Sequence, residues 1–213
     1  MRRRTLGATL AAAALLTGGA ASPEPEQPEP QQRITVRADA AGSTTAVLTA
    51  WQRTGGEWAK AYGPVPAHVG TNGVGQASES TSHTPAGVWP LTEAFGTRPA
   101  RTRLPYREVT TSDWWVSDVD SPYYNTHFSC APGTCPFDEA AGENLGAAGA
   151  VYAHAVVIDY NRTPVVPGAG SAFFLHVTDG KPTAGCVAIA GADLEAILRW
   201  LDPAQHPVIE ISG

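Results

Sequence analysis

The stretch 173–189, FFLHVTDGKPTAGCVAI, constrains the fold of this chain most strongly, because it joins two apolar runs through a short, turn-rich connection. The runs at 173–175 and 187–189 have the length and apolar character of buried strands. Between them, the segment 179–182, Asp-Gly-Lys-Pro, is typical of a turn, since glycine tolerates positive φ and proline fixes the next φ. The sequence therefore predicts two strands that deliver their side chains to one end of a sheet.

Those two strands carry a histidine and a cysteine, His176 and Cys186. A thiol is a poor nucleophile until it is deprotonated, and an adjacent imidazole can take its proton. Gly185 lacks a Cβ, so the backbone can approach a substrate closely, with the N–H groups of Gly185 and Cys186 directed at a developing oxyanion. We therefore predict a catalytic site made of Cys186, His176 and Gly185. The alternative is a small buried thiol and a hydrogen-bonded core histidine, which is the commoner role of such residues.

The same stretch resembles the catalytic motif of the L,D-transpeptidase (YkuD-like) family, in which a histidine after an apolar strand precedes a Ser/Thr-x-Gly-Cys-aliphatic signature. Here the segment 183–187, Thr-Ala-Gly-Cys-Val, stands at that signature, and His176 stands at the histidine. The segment 84–87, Thr-Pro-Ala-Gly, is similar to an upstream stretch of the family. The resemblance extends over about residues 65–212, which is most of the chain.

The resemblance implies a mainly β fold, an L,D-transpeptidase-like β-sandwich of mixed sheets with one or two short helices. It implies that Cys186 attacks tetrapeptide stems of peptidoglycan, forms a thioester and passes the acyl group to an amine, which makes a 3-3 cross-link without a cofactor. Hydrolysis of the thioester, an L,D-carboxypeptidase or peptidoglycan peptide hydrolase activity, is an alternative. A noncatalytic cell-wall-binding module that uses Trp114 and Trp115 is another.

Several residues near the motif are expected to contact the substrate. Thr183 and Ala184 lie within the signature itself, and the resemblance places an aromatic and acidic stretch at 114–130 before it. From that stretch we predict Tyr124 and Asn125 as substrate-binding residues. Aromatic faces with interspersed polar groups suit sugar or peptide recognition, although packing of a loop onto the core is their commoner role.

The N-terminus predicts export. Residues 1–21 have arginines at 2–4, an alanine-rich apolar run and small residues at the end, which is the pattern of a secretory signal peptide. An uncleaved membrane helix is the alternative. Residues 22–32 are rich in proline, glutamate and glutamine and predict a disordered linker, and residues 33–213 predict a single catalytic domain. We expect a secreted protein at the cell wall of a bacterium, with no membrane span after signal cleavage.

The three cysteines of an exported chain leave one unpaired if a disulfide forms. Cys130 and Cys135 flank a short turn and are the natural pair, so that Cys186 is the free thiol. A metal site at this pair with the nearby His127 is the rival interpretation, but it lacks an evident fourth ligand, and we predict no metal. The net charge of -6, with scattered basic residues, argues against a nucleic-acid partner.

Short strands predominate in the rest of the chain. Their β-branched and apolar content predicts strands at 34–36, 44–52, 57–62, 151–160 and 208–211. Apolar residues at 194, 197, 198 and 201 follow helical spacing and predict an amphipathic helix over 193–201, stopped by Pro203.

Overall fold

The computed structural model of the protein describes residues 28–213. The predicted signal peptide and most of the predicted linker lie outside these residues. The end of that linker is folded, contrary to the prediction: Gln32 begins the first strand and is 2% exposed. The backbone N–H of Gln31 donates to the Gln205 carbonyl at 2.8 Å. The domain therefore begins before residue 33, because these two glutamines find hydrogen-bonding partners on the domain itself.

Residues 28–213 form fifteen strands, one α-helix and two short 3-10 helices. The strands are β1 (Gln32–Ala38), β2 (Thr45–Thr54), β3 (Glu57–His68), β4 (Val74–Gly75), β5 (Thr84–Pro85), β6 (Gly87–Pro90), β7 (Ala94–Gly96), β8 (Tyr106–Glu108), β9 (Asp113–Trp115), β10 (His127–Ser129), β11 (Glu143–Asn144), β12 (Ala155–Val157), β13 (Phe174–Val177), β14 (Val187–Ile189) and β15 (Val208–Ser212). The helix α1 spans Gly191–Trp200, and the 3-10 helices span Gly149–Tyr152 and Pro203–Gln205. The predicted mainly β fold is confirmed.

Ten of the strands form one curled, mixed sheet. Its strand order is β6-β15-β1-β2-β3-β14-β13-β12-β7-β8. The pairs β1 with β15, β13 with β14, and β7 with β8 are parallel, and the other pairs are antiparallel. Strands β10, β9 and β11 form a small antiparallel sheet, and β4 with β5 form a parallel pair. The two strands that carry the predicted catalytic residues, β13 and β14, therefore lie side by side near the centre of the large sheet.

The sheet buries a different hydrophobic cluster on each face, because side chains alternate along a strand. Leu175 and Val187 point into the larger cluster, which includes the helix residues Leu194, Ile197 and Leu198. Phe174 and Cys186 point into a smaller, aromatic cluster that includes Trp115 and Tyr152. The predicted nucleophile thus stands on the aromatic face of the sheet.

The helix α1 covers the opposite face. Its buried residues Leu194, Ile197 and Leu198 are at most 1% exposed, and their spacing is the one that predicted the helix. Burial of each such side chain contributes about 1.5–3 kcal/mol to folding. Across residues 28–213, no helix combines the length and the apolar character that crossing a bilayer requires.

The predicted strand over 151–160 forms only in part. Strand β12 is limited to Ala155–Val157, and the residues before it turn in the 3-10 helix Gly149–Tyr152. Gly149 allows this turn because it adopts a φ of +75°. Tyr152 consequently packs edge-on against Phe95 and Phe174, with ring centroids 5.4 and 5.6 Å apart. The β-branched content of the segment predicted a strand throughout, so the turn was not predicted.

Candidate active site

A cleft of about 520 Å³ opens on the aromatic face, at the end of β13 and β14. This volume lies in the range of about 300–1,000 Å³ that is typical of ligand sites. Its lining includes the serine-rich loop 78–82 together with Glu143 and Tyr152. His176 and the segment 182–186, which contains the cysteine, also line it. The cleft thus collects the predicted motif and residues from three other parts of the chain.

The strand register explains why His176 and Cys186 reach the same cleft. In the parallel pairing of β13 with β14, Leu175 is opposite Val187 and His176 is opposite Ala188. Cys186 immediately precedes this ladder, so alternation places its side chain on the same face as those of Ala188 and His176. Both His176 and Cys186 line the cleft. His176 and Cys186 therefore share one face of the sheet and one cleft.

The Cys186 thiol is largely buried at the base of the cleft, with 8% of the residue exposed. Its sulfur accepts a hydrogen bond from the Phe174 N–H at 3.4 Å and donates one to the Ala172 carbonyl at 3.4 Å. Burial raises the pKa of this thiol strongly, and the nearby Glu143 carboxylate raises it further. The sulfur is consequently a protonated thiol in the resting protein and needs a base before it can attack.

The His176 imidazole is held in one orientation. Its Nδ1 donates to the Val177 carbonyl at 2.9 Å, because a carbonyl oxygen only accepts. This bond fixes the tautomer and leaves the lone pair on Nε2. Burial lowers the pKa of His176, while the bond to Val177 and the charge of Asp179 act in the opposite direction. A neutral histidine of defined orientation therefore faces the cleft.

Gly185 occupies a backbone conformation that suits only glycine. Its φ is +147°, and a Cβ at this position would lie 2.6 Å from Phe173 Cε1 and 3.1 Å from the His83 carbonyl oxygen. The prediction that its N–H faces an oxyanion is not met, because this N–H donates to Thr183 Oγ1 at 3.1 Å. Gly185 therefore serves the site by allowing the turn that presents Cys186.

Two threonines fix the carbonyl of Cys186. The Thr183 hydroxyl donates to it at 2.7 Å, and the Thr84 hydroxyl donates to it at 3.1 Å. Thr84 is 0% exposed and also accepts from the Gly70 N–H at 2.8 Å. Thr183 and Ala184 line the cleft, and their predicted contact with substrate stays a prediction, whereas the buried Thr84 does not line it.

The prediction that Tyr124 and Asn125 bind substrate is wrong, since both side chains are used inside the fold. Asn125 is 2% exposed; its amide donates to the carbonyls of Tyr160 and Asn161, and its Oδ1 accepts from Trp115 Nε1 at 2.9 Å. Tyr124 is 3% exposed, and its hydroxyl donates to the Glu79 carboxylate. These residues anchor loops of the fold through buried hydrogen bonds. Packing of a loop onto the core is the commoner role of such an aromatic stretch.

The remaining residues of that stretch are also structural. Trp114 and Trp115 are 6% and 2% exposed, so neither offers a free face to a glycan, as the binding-module alternative requires. Cys130 and Cys135 form the predicted disulfide, which removes both sulfurs from metal coordination. The third candidate metal ligand, His127, has its Nε2 2.8 Å from an Asp113 carboxylate oxygen.

Sequence reasoning missed Glu143 and Tyr152. The Tyr152 hydroxyl donates to Glu143 Oε1 at 2.5 Å, and Tyr152 belongs to the same buried cluster as Cys186. Burial raises the pKa of Glu143, while the bond from Tyr152 lowers it. Neither residue belongs to a local motif, and only the fold brings them to the cysteine. The one available signal was a tyrosine just after glycine- and alanine-rich sequence, which is weak.

Comparison with known proteins agrees with this geometry. Searches of curated proteins and of solved structures each returned no match. The family model of the L,D-transpeptidase catalytic domain, YkuD, matches residues 35–209. This range contains the cleft, the histidine strand and the whole Thr-Ala-Gly-Cys-Val signature. The chain therefore belongs to the YkuD family of L,D-transpeptidase catalytic domains.

Proposed function

We propose that this protein is a cysteine-dependent peptidoglycan L,D-transpeptidase that acts on tetrapeptide stems through a thioester at Cys186 and forms 3-3 cross-links. The observation that carries the proposal is the placement of Cys186 and His176 on one face of the sheet, in one open cleft, with His176 Nδ1 held by the Val177 carbonyl. Nucleophile, base and orienting acceptor are the three parts that acyl transfer by a cysteine requires.

In the first step, His176 Nε2 takes the Cys186 proton, and the sulfur attacks the carbonyl carbon between the third stem residue and the terminal D-Ala. The tetrahedral intermediate collapses when its C–N bond breaks, and His176 gives the proton to the departing D-Ala nitrogen. The products of this half-reaction are free D-Ala and a thioester on Cys186. The resting thiol is protonated, so proton transfer accompanies attack and no standing thiolate is needed.

In the second step, an amine from a neighbouring stem attacks the thioester. His176 accepts the proton that this amine loses and gives it to the departing Cys186 sulfur, so that the new amide forms and the resting thiol is restored. Three carboxylates line the cleft, those of Glu79, Glu143 and Asp179, and among the described residues of that lining there is no lysine or arginine. This charge favours an acceptor that arrives as an ammonium ion, which releases one proton to water before its nitrogen attacks.

Export is part of the proposal. The signal peptide predicted for residues 1–21 would bring the domain to the cell wall of a bacterium, where stem peptides are found. The disulfide between Cys130 and Cys135 supports this, because disulfides persist in oxidising compartments outside the cytosol.

A purified disaccharide-tetrapeptide tests the reaction directly. After incubation with the protein, we expect a cross-linked dimer with release of D-Ala, detected by mass spectrometry. A tripeptide product would replace the transferase assignment with the L,D-carboxypeptidase activity. Unchanged substrate would leave only a binding role.

A carbapenem tests the nucleophile separately. Its strained lactam carbonyl should acylate Cys186, giving one added drug mass on the intact protein. The Cys186→Ala variant should stay unmodified, because Cys130 and Cys135 are joined to each other. An adduct on this variant, or none on the wild type, would refute the assignment of Cys186.

A further inference from the structure

The Cys186 sulfur lies between two backbone groups of the segment that leads into β13. The thiol donates a hydrogen bond to the Ala172 carbonyl at 3.4 Å, and the Phe174 N–H donates one to the sulfur at 3.4 Å. Across residues 28–213, the sulfur has no other hydrogen-bonding partner, and His176 is therefore not one. The resting thiol proton is held by a carbonyl rather than by the imidazole.

Ala172 presents this carbonyl from an unusual backbone conformation. Its φ is +57°, in the left-handed region that residues other than glycine seldom adopt. Within the described chain, three other non-glycine residues have a positive φ, and each of these has a polar side chain: Asn125, Asn161 and His206. Such a conformation persists only where surrounding contacts fix it. The Ala172 peptide must therefore be held by a neighbour.

The side chain of Asn125 is that neighbour. Its Oδ1 accepts from the Ala172 N–H at 3.3 Å and from Trp115 Nε1 at 2.9 Å. Its amide nitrogen donates to the carbonyls of Tyr160 and Asn161, at 3.1 and 2.8 Å. These four bonds use both lone pairs of Oδ1 and both hydrogens of the amide nitrogen. The amide is also 2% exposed, so it cannot turn away from the Ala172 N–H.

We propose that Asn125 is a positioning residue for the nucleophile, because it holds the Ala172 peptide whose carbonyl binds the Cys186 thiol. The inference rests on the proposed role of Cys186 as the nucleophile. Asn125 does not line the cleft and acts through Ala172, which does.

The two backbone groups serve the two protonation states of the sulfur. A hydrogen bond made by the neutral form favours that form, so the Ala172 carbonyl stabilises the thiol. On activation, the S–H hydrogen turns from this carbonyl to His176 Nε2. The S–H bond then breaks and an N–H bond forms, which gives a thiolate and an imidazolium. The Phe174 N–H still donates to the sulfur and favours the thiolate.

A purely structural role for Asn125 gives a different prediction. If Asn125 only anchored loops, its loss would lower the stability of the fold and leave the hydrogen bond of the thiol unchanged. If Asn125 positions the Ala172 peptide, its loss releases the thiol from the carbonyl even in a protein that stays folded.

The infrared S–H stretching band measures this hydrogen bond directly. A hydrogen bond to a carbonyl weakens the S–H bond and lowers its stretching frequency below that of a free thiol. The sequence has three cysteines, and Cys130 and Cys135 are joined, so the band arises from Cys186 alone. We expect the wild-type band at the lowered frequency and no band in Cys186→Ser. A wild-type band at the frequency of a free thiol would overturn the proposal.

Asn125→Gly removes the side chain at a position where φ is +56°, which glycine adopts freely. We expect its S–H band to move to the frequency of a free thiol. Carbapenem acylation of Cys186 should slow by about 100-fold, as expected for a nucleophile displaced by about 1 Å. An unchanged band in a folded Asn125→Gly variant would show that Asn125 does not position the thiol.

Asn161→Gly is the matched control. Asn161 also has a left-handed φ, +54°, and its amide donates to the carbonyls of Val166 and Gly170 at 2.9 Å. Its side chain thus anchors the neighbouring loop without a bond to the Ala172 peptide. We expect the S–H band and the acylation rate of Asn161→Gly to equal those of the wild type. A shift equal to that of Asn125→Gly would mean that loosening any nearby loop frees the thiol, and would refute the specific role of Asn125.

Wild-type measurements decide the matter if Asn125→Gly does not fold. The Ala172 amide hydrogen should exchange slowly with solvent in an NMR experiment, because Asn125 Oδ1 accepts it. Rapid exchange of this amide would overturn the proposal. Neither the band nor the exchange depends on the peptide reaction, so the inference can fail while Cys186 still reacts with the carbapenem. Absence of acylation in the wild type would instead refute Cys186 as the nucleophile, and the positioning role with it.

Discussion

Gly185→Ala is the substitution for which the structure gives the clearest expectation. The position combines a φ of +147° with a Cβ site only 2.6 Å from Phe173 Cε1. Phe173 cannot move away freely, because it is 6% exposed and packs against Tyr160 with ring centroids 5.2 Å apart. The second contact, at 3.1 Å, is with the His83 carbonyl oxygen, which belongs to the backbone.

The expected cost has two parts. Placing a residue other than glycine in such a backbone conformation costs about 1–3 kcal/mol. Forcing a methyl group into a packed site adds about 1–3 kcal/mol. Gly180→Ala separates the two, because Gly180 lies in the same connection with a φ of +84° but has no atom within 4 Å of its Cβ site. Gly180→Ala should therefore show the backbone cost alone.

Thermal unfolding of the two variants measures the difference. The additional contact cost should lower the melting temperature of Gly185→Ala about 2–12 °C below that of Gly180→Ala, since 1 kcal/mol corresponds to about 2–4 °C in a domain of this size. Carbapenem acylation should slow by about 100-fold in Gly185→Ala, as expected for a nucleophile displaced by about 1 Å. Equal melting temperatures for the two variants would refute the steric argument.

Two further predictions concern the support of Cys186 and the protonation of His176. Thr84→Val keeps the shape of the side chain but leaves the Gly70 N–H without its acceptor. We therefore expect the free energy of unfolding, measured by urea denaturation, to fall by about 1–3 kcal/mol. A loss below about 0.5 kcal/mol would contradict this role of Thr84. In the pH profile of kcat/KM, the midpoint of the acid limb should lie below the ordinary pKa of histidine. The reason is that burial lowers the pKa of His176, so the imidazole stays unprotonated to lower pH. A limb above that value, measured in the transpeptidation assay, would mean that another group is titrating.

The local features of the site could be predicted from the sequence. A turn-rich connection between two apolar strands predicts that His176 and Cys186 lie near each other, but a simple chain reversal at that turn would make the strands antiparallel, whereas β13 and β14 are parallel. The disulfide could be predicted because Cys130 and Cys135 are close in sequence, with Cα atoms 5.4 Å apart. The helix was predicted from its apolar spacing, to within two residues at its start.

The prediction of substrate contacts failed where burial decides the role of a side chain. Tyr124 and Asn125 carry polar groups in an aromatic segment, which fits a binding surface as well as a buried anchor. The sequence does not show that the Asn125 amide meets the carbonyls of residues more than thirty positions away. Such partners are fixed only when the loops pack on the sheet.

The sequence by itself determined the family signature, the mainly β fold and the short-range contacts, because turn chemistry and side-chain alternation act over a few residues. Only the tertiary structure decided what surrounds the sulfur. The Thr84 hydroxyl donates to the Cys186 carbonyl from 102 residues away, and Glu143 and Tyr152 come from a different small sheet and a 3-10 turn to line the same cleft as the thiol. These contacts depend on strand register and loop packing across the whole domain, and no local pattern encodes them.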